Sequence, residues 1–390
     1  MALRIVATCA LGLEEFLEQE LRDLAMKGVA VGRGAVRFEG RWRDIWRANW
    51  WLRTANRVLV ELGRWQGHDG DALATGARRL IGHRGGHWDG LKVEELFDPG
   101  RTLALHATST ASAVRDTRWV GLRVKDGLVD GQRGRFRRRS SIDRRRPDVP
   151  LRVWLHRDRA TLLLDTSGEP LDRRGYRQSS GTAPLRETLA AACVLASAWD
   201  GRGPVVDPMC GTGTLLVEAA LWASGRAPGE TRRGFAFERL PNLDRRALTA
   251  IKGERSQGAC SELEIVGVDH DPEAVSAARE NLTRAGLDAV SRLQVGDGFA
   301  LDPPARPGLV LINPPYGERL DAGPEQWRRL GDLLKGRYSG WQAVVLAGGD
   351  SRGKHIGLKP RRRVAVRNGP LDARILPFDL YPGSRTETKR

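Results

Sequence analysis

The chain has 390 residues, too long for one ordinary domain, and its 40% hydrophobic content can build buried cores, which argues against wholesale disorder. A formal net charge of +16 points to a polyanionic partner, nucleic acid or an acidic membrane surface. Four dispersed cysteines without a C-x-x-C pair fit neither a disulfide framework nor a zinc site, and no apolar run approaches the ~20 residues of a membrane span. With no signal-peptide core at the amino terminus, a soluble cytoplasmic protein is expected.

Residues 1–65 read as strand, helix, strand, helix, strand. Alternation from Met1 to Thr8 gives way to a helical face of Leu13, Phe16, Leu17, Leu21 and Leu24. A glycine-bounded strand follows at 34–40, then a helix with Ile45, Trp46, Trp50 and Trp51, and a strand at 57–62. Residues 66–165 form a second α+β unit. It holds a strand at 103–106, a helix at 118–131 with Val120, Val124 and Leu128 on one side, and a hairpin of 151–156 and 160–165 around Arg157-Asp158-Arg159. Between helix and hairpin lies the most basic stretch of the chain, with Arg135, Arg137, Arg138, Arg139, Arg144, Arg145 and Arg146. So many guanidiniums close together repel one another, and a phosphate backbone relieves that repulsion while releasing counterions; these arginines are the candidate RNA contacts.

Residues 166–183 read as a polar linker, and 184–382 as an α/β domain in which buried strands alternate with amphipathic helices, the pattern of a parallel sheet. Strands are expected at 204–207, 264–269, 292–296, 308–313, 341–347, 362–367 and 374–378. Asn368-Gly369 signals a hairpin between the last two, so an antiparallel edge closes the sheet. Residues 383–390 form a polar tail.

Chemistry concentrates at the carboxyl ends of these strands. Asp207-Pro208-Met209-Cys210-Gly211-Thr212-Gly213 is a glycine turn between a strand and an apolar helix, where backbone can approach a ligand. It has neither the third glycine of a dinucleotide fingerprint nor the Gly-Lys-Ser/Thr of a P-loop, which suits a nucleoside without a pyrophosphate. Asp269, at the second strand tip, can accept from both ribose hydroxyls, whereas Asp271 before Pro272 reads as a helix N-cap. His270 could brush the same ligand, although a surface histidine is the simpler reading. Asp297-Gly298 follows the third strand, and Asp297 could accept from an adenine amine or merely cap a turn.

Asn313-Pro314-Pro315-Tyr316, after the fourth strand, carries the reaction class. An aromatic amine is a poor nucleophile because its lone pair is delocalised into the ring. The Asn313 side-chain oxygen and the Pro314 carbonyl can each accept one amine hydrogen and aim that lone pair at a methyl sulfonium. Pro315 stiffens the turn, and Tyr316 offers a stacking face for an extruded base. The expected cofactor is S-adenosylmethionine, and no His/Cys/Asp cluster has metal-ligand spacing.

On these residues the chain resembles RNA guanine-amino methyltransferases that join a ferredoxin-like region and a THUMP RNA-binding domain to a Rossmann-like methyltransferase domain. The likeness runs through Gly12-Leu13-Glu14-Glu15, Arg174-Gly175-Tyr176-Arg177, residues 183–191, the 207–214 loop, residues 313–320 and residues 368–372. It implies that 1–65 is the ferredoxin-like region, that 66–165 is the THUMP domain and that 184–382 is a seven-stranded methyltransferase domain. It further implies that Pro184 and Leu185 border the cofactor and that the product is 2-methylguanine. The branch acting on 23S rRNA is the most similar. Some of its members carry a second methyltransferase half, which this sequence stops before, and tRNA-modifying cousins share the shorter architecture. The alternatives are therefore a tRNA guanine methyltransferase, a methyltransferase for DNA adenine or protein glutamine, and a non-catalytic RNA-binding assembly factor.

Overall fold

The computed structural model describes residues 2–83, 85–177, 185–254, 263–314, 323–349 and 352–382. The amino-terminal part runs β1 (Leu3–Thr8), α1 (Glu14–Asp23), β2 (Lys27–Gly32), β3 (Ala35–Gly40), α2 (Trp42–Trp51) and β4 (Arg57–Gln66). It continues with α3 (Gly70–Gly82), the short ribbon β5 (His87–Trp88) and β6 (Leu91–Lys92), α4 (Val93–Leu96), β7 (Leu103–Thr110), α5 (Thr117–Phe136), β8 (Val149–His156) and β9 (Arg159–Asp165).

Seven of these strands form one sheet in the order β2-β3-β1-β4-β9-β8-β7. Strand β4 begins in the first predicted unit and pairs antiparallel with β9 at the end of the second, from Leu59↔Asp165 to Gln66↔Arg159. The two units therefore share a backbone ladder as well as a core. Strands β7 and β8 are parallel because α5 crosses between them, while the expected hairpin β8–β9 turns at Arg157 and Asp158, both at positive φ as a two-residue hairpin turn requires. The sequence reading omits β2, an edge strand with almost no buried side chain to mark it, and the helix α3.

Helices α3 and α5 lie against each other with glycine at the contact. Val120, Val124 and Leu128 of α5 are buried, as the periodicity predicts. A Cβ on Gly127 would lie 2.1 Å from the Ala74 carbonyl oxygen and 2.8 Å from its Cα. These are backbone atoms of a packed helix and cannot swing aside.

The second sheet carries α6 (Glu187–Ala196), β10 (Val205–Asp207), α7 (Thr214–Ala223), α8 (Arg245–Gly253), β11 (Ile265–Asp269), α9 (Pro272–Arg284), β12 (Ser291–Val295), β13 (Leu309–Ile312), α10 (Pro324–Arg337), β14 (Gln342–Gly348), β15 (Val364–Asn368) and β16 (Leu371–Asp379). Its order is β12-β11-β10-β13-β14-β16-β15, with the first five strands parallel and the last two antiparallel. Alternate residues serve opposite faces: Leu309, Leu311, Val344 and Leu346 join the core beneath α6 and α7, while Val310, Ile312, Ala343 and Val345 join Trp327, Leu330 and Leu334 of α10. All seven strands were expected, as was the antiparallel edge, which turns at Gly369 (φ +62°).

Two seams join the amino-terminal part to this domain. At one, Gly12 (φ +91°) lies so close to β15 that a Cβ would stand 2.0 Å from the Ala365 carbonyl oxygen. Arg367 N donates to the Leu11 carbonyl at 3.3 Å, and Arg362 pairs with Glu15 at 3.2 Å. At the other, Trp46 and Trp50 of α2 meet Phe237 and Phe235, with ring centroids 6.3 and 6.2 Å apart.

The α3–α5 contact yields a test with opposing terms. Alanine favours a helix interior over glycine by ~1 kcal/mol. Overpacking against backbone costs about 1–3 kcal/mol, so Gly127→Ala should be net destabilising in thermal or urea unfolding of the full chain. A stabilised variant would contradict the close approach of the two helices.

Candidate functional site

Strand β10 is flanked by β11 on one side and β13 on the other, so the loops that follow these strands diverge from the middle of the sheet and leave a crevice at its carboxyl edge. Four of the predicted positions come together there. Asp207 ends β10, Asp269 ends β11, Asp297 follows β12 by two residues, and Asn313 follows β13 directly.

The loop after β10 is held by backbone and side chain alike. Cys210 N donates to the Val268 carbonyl at 2.9 Å, and Gly213 N donates to Cys210 O at 2.8 Å. Gly211 and Gly213 both have positive φ, +49° and +77°, and Gly213 ends the loop as the N-cap of α7. A Cβ on Gly213 would press on Ala278 of α9, whereas one on Gly211 would meet nothing within 4 Å. The loop therefore packs on its inner side and faces open space at Gly211. Gly298 abuts the start of the same loop, since a Cβ there would lie 1.8 Å from Pro208 O.

The acidic residues divide by role. Asp269 is buried and accepts from Gly211 N at 2.8 Å through Oδ2 and from Asp271 N at 3.1 Å through Oδ1. Its first task in the fold is to hold the glycine turn. Asp207 is buried and accepts from Met209 N at 3.0 Å; burial pushes its carboxyl up to about 8, opposed by that N–H and reinforced by the nearby Asp269. Asp271 caps α9 by accepting from Glu273 N at 2.9 Å, as read from the sequence. Asp297 caps a short 3-10 turn through Phe299 N at 2.9 Å and is otherwise exposed. His270 is 93% exposed, with Nδ1 3.3 Å from Asp269 Oδ1. Cys210 is buried, and burial beside Asp207 and Asp269 raises its thiol pKa, which fits packing and not nucleophilic attack.

Asn313 is half-buried, and its buried Oδ1 has no hydrogen-bond partner among the described residues; Pro314 is buried beside it. An acceptor left so at the edge of a well-packed sheet calls for an explanation. Pro315 and Tyr316, nominated with them, lie outside the described residues, as does Pro184, while Leu185 is described and buried.

Several supporting residues escaped the sequence reading. Asn281 of α9 is buried and donates to the Thr212 carbonyl at 2.9 Å, pinning the loop from below. An amide among the inward positions Val275, Ala278 and Leu282 was the available signal. The expected linker is itself part of the second seam. Arg174 and Glu218 of α7 form an ion pair with side chains 1% and 0% exposed, Nε to Oε1 3.3 Å, and the buried Tyr176 hydroxyl donates to the same carboxylate at 3.1 Å. Arg177 donates to the Thr214 hydroxyl at 2.6 Å and to the Leu185 carbonyl at 2.8 Å.

The basic loop between α5 and β8 is pinned at intervals. Ser140 is buried on Gln132, Asp143 N donates to Leu103 O at 3.1 Å, and Arg239 donates to the Pro147 carbonyl at 2.8 Å. That last bond ties the loop to the carboxyl-terminal domain. Arg137, Arg138, Arg139, Arg144, Arg145 and Arg146 are exposed, and none forms an ion pair with a described residue. Arg135 differs: it donates to Ile81 O and pairs with Glu94, both at 2.9 Å, so its charge is engaged within the fold. A cleft of about 880 Å³ beside this loop is lined by Glu94, Glu95, Asp98 and Asp148 along with Arg101 and Arg239, a carboxylate set ill-suited to a phosphate backbone. Among the described residues no cluster could hold a metal ion, and no helix is long and apolar enough to cross a membrane.

Comparison with known proteins agrees with this anatomy. Residues 174–376 match the family described as RMKL-like, methyltransferase domain; residues 4–59 match the RlmL ferredoxin-like domain and residues 90–165 the THUMP domain. The ribosomal RNA large subunit methyltransferase K/L of Syntrophotalea carbinolica is 38% identical over 397 residues, covering 97% of this chain and 54% of that protein. The chain thus spans about half the length of this curated relative. Among solved structures, the candidate methyltransferase SMU.472, complexed with SAH, superimposes with a TM-score of 0.85 at 28% identity, covering 98% of this chain and 99% of the other. A protein described as a predicted N6-adenine-specific DNA methylase from Listeria monocytogenes gives 0.82 at 28% identity, covering 98% and 97%. TrmN from Thermus thermophilus shares the fold, with a TM-score of 0.69 at 22% identity and coverage of 97% and 99%. The methyltransferase match alone takes in more than half of the chain, and the other two fall before it in the same order as the structural units, so this chain belongs to the RMKL-like methyltransferases, whose cofactor is S-adenosylmethionine.

Proposed function

We propose that this chain methylates the exocyclic 2-amino group of a guanine in structured RNA, with 23S rRNA as the substrate. The observation that carries this reading is the partnerless Asn313 Oδ1, held next to the Pro314 peptide at the tip of β13. Oδ1 and the Pro314 carbonyl are two acceptors on adjacent residues, and an exocyclic amine has two hydrogens to give. Accepting both fixes the nitrogen and turns its lone pair out of conjugation with the ring.

The residues present suit the cofactor. Gly211 leaves space where the backbone can approach a nucleoside, and Asp269 would supply negative charge beside a loop that would receive a sulfonium cation, with Asp207 buried next to it. Asp269 has lone pairs beyond those that hold Gly211 and Asp271, and these can accept from ribose hydroxyls. Met209, Cys210, Thr212 and Gly213 shape the same loop, with Leu185, His270, Asp297 and Gly298 at its rim. S-adenosylmethionine supplies an electrophilic methyl group. With the amine held by Asn313 and the Pro314 carbonyl, its nitrogen would take the methyl group as the S–C bond electrons remain on sulfur, and the surplus amine proton would leave to solvent. Rate then comes from positioning and not from a strong base.

RNA as the substrate rests on three features. The chain matches the THUMP domain, its curated relative acts by name on large-subunit ribosomal RNA, and six exposed arginines sit on a loop anchored to the methyltransferase side. Pro315 and Tyr316 remain proposals from the motif, as the stiffener of the turn and the stacking face for the flipped base.

Two outcomes are expected. Asn313→Ala should lower turnover roughly 10²–10³-fold, the loss typical of removing one preorganised polar group at a reacting centre, while S-adenosylhomocysteine binding stays near wild type. The decisive form of this test maps methylated guanines by mass spectrometry in rRNA and tRNA from a deletion strain. Loss of one 2-methylguanine from 23S rRNA, restored by the wild-type gene and not by Asn313→Ala, is the expected result. Loss from tRNA would move the substrate, and no loss anywhere would overturn the enzymatic reading. Separately, replacing Arg137, Arg138 and Arg139 with alanine should weaken RNA binding and flatten the plot of log affinity against log salt by about one unit for each phosphate no longer neutralised. Arg135→Ala should leave that slope alone and lower stability instead. An unchanged slope in the triple variant would reduce this loop to solvated surface.

A further inference from the structure

The motif Arg174-Gly175-Tyr176-Arg177 has no place in the chemistry above, yet its side chains are among the most constrained in the molecule. Both arginines reach α7, the helix that starts where the glycine loop ends. Arg174 and Tyr176 converge on Glu218, and Arg177 on Thr214, one helical turn earlier and on the same face. Arg174 also donates to the carbonyls of Leu171 and Arg53. Arg53 is buried just beyond α2, and its own guanidinium donates to Arg226 O at 2.6 Å, past the far end of α7. The amino-terminal part therefore grips α7 at both ends.

Arg177 is the member of this group nearest the reaction. One terminal nitrogen donates both to the Thr214 hydroxyl at 2.6 Å and to the Leu185 carbonyl at 2.8 Å, while Nε lies 3.4 Å from Glu187 of α6. Thr214 is the first residue of α7, and Leu185 lies just before α6. Glu187 is buried, and burial pushes its carboxyl up to about 7 against the opposing pull of Arg177.

We propose that Arg177 is a positioning residue for S-adenosylmethionine: it clamps the 185 segment to the N-terminus of α7 and so sets the geometry of the 208–213 loop. The inference rests on the reading of that loop as the cofactor seat. Since the same four-residue motif is fixed through Arg174 to the Arg53 carbonyl, the clamp makes the cofactor site depend on the docking of the amino-terminal part. Arg177 touches neither the methyl group nor the amine, so its removal should act on cofactor affinity and spare the chemical step.

The test uses the full chain, with S-adenosylhomocysteine as the calorimetric probe and full kinetics on RNA. Arg177→Gln should raise the S-adenosylhomocysteine Kd roughly tenfold or more, as expected for charge-assisted hydrogen bonds lost at a half-buried site. The KM for S-adenosylmethionine should rise in proportion, with kcat changed by less than about threefold. Arg177→Lys, which keeps the charge and one donor, should recover part of the loss. Thr214→Val removes only the acceptor at near-constant volume and should weaken binding by roughly threefold or more. It also decides the matter if Arg177→Gln fails to fold. A lowered melting temperature with an unchanged Kd in the folded variants would overturn the proposal, because a purely structural role predicts that pattern. Gly211→Asn separates this failure from a failure of the underlying reading. Asparagine tolerates positive φ and would fill the space beside the loop, so it should block S-adenosylhomocysteine. If it blocks while Arg177→Gln does not, only the clamp is wrong. If it binds like wild type, the loop is not the cofactor seat.

Discussion

The interaction on which this architecture depends is the buried ion pair of Arg174 and Glu218. Removing a guanidinium and a carboxylate from water costs several kcal/mol per ion, and their attraction offsets this only if the remaining donors and lone pairs are also satisfied. Here they are largely satisfied. Two main-chain carbonyls take further N–H groups of Arg174, and the Tyr176 hydroxyl donates to Glu218. Such a network has low tolerance for slippage, since losing one partner strands the other in an apolar interior. It therefore specifies one docking of the amino-terminal part on the helix that follows the glycine loop, in a way that the aromatic contacts of Trp46 and Trp50 alone would not.

With α7 fixed, the carboxyl edge of the second sheet becomes a rigid frame. Asp269 spends its carboxylate partly on Gly211, so the residue nominated for the ribose also shapes the turn that would receive the nucleoside. Asp207 sits one strand away, where burial first and the neighbouring Asp269 second push its carboxyl above the usual carboxylate range. Asn313 adds a neutral acceptor on the other side of β10. The edge therefore carries carboxyl groups at β10 and β11 and a neutral amide at β13.

Much of this was legible in the sequence. Buried parallel strands announce themselves as short apolar runs, and all seven of the second sheet were found, as was the Asn368-Gly369 turn. Strand-tip residues were legible for the same reason, because polar residues that close an apolar run have few other places to go. What stayed hidden depends on distant partners. Strand β2 exposes nearly every side chain and exists only because β3 offers it a ladder. Arg174 and Arg177 read as part of a polar linker until Glu218 and Thr214, some 40 residues on, are brought alongside. Arg135 looks like its neighbours in the basic run, yet its position at the end of α5 turns it inward to Glu94.

The ladder between β4 and β9 bears on how the chain acquires its structure. Strand β4 is complete at residue 66, but the strand that covers its open edge ends only at residue 165. Until then the nascent amino-terminal piece carries unpaired peptide groups along the β4 edge that β9 later covers from Leu59 to Gln66, the kind of edge that recruits other chains. The loop to be closed is long, so this pairing is slow as well as late. The shared ladder ties completion of the ferredoxin-like sheet to synthesis of the last THUMP strand, and an edge left open in that interval is the kind of surface that pairs with other chains.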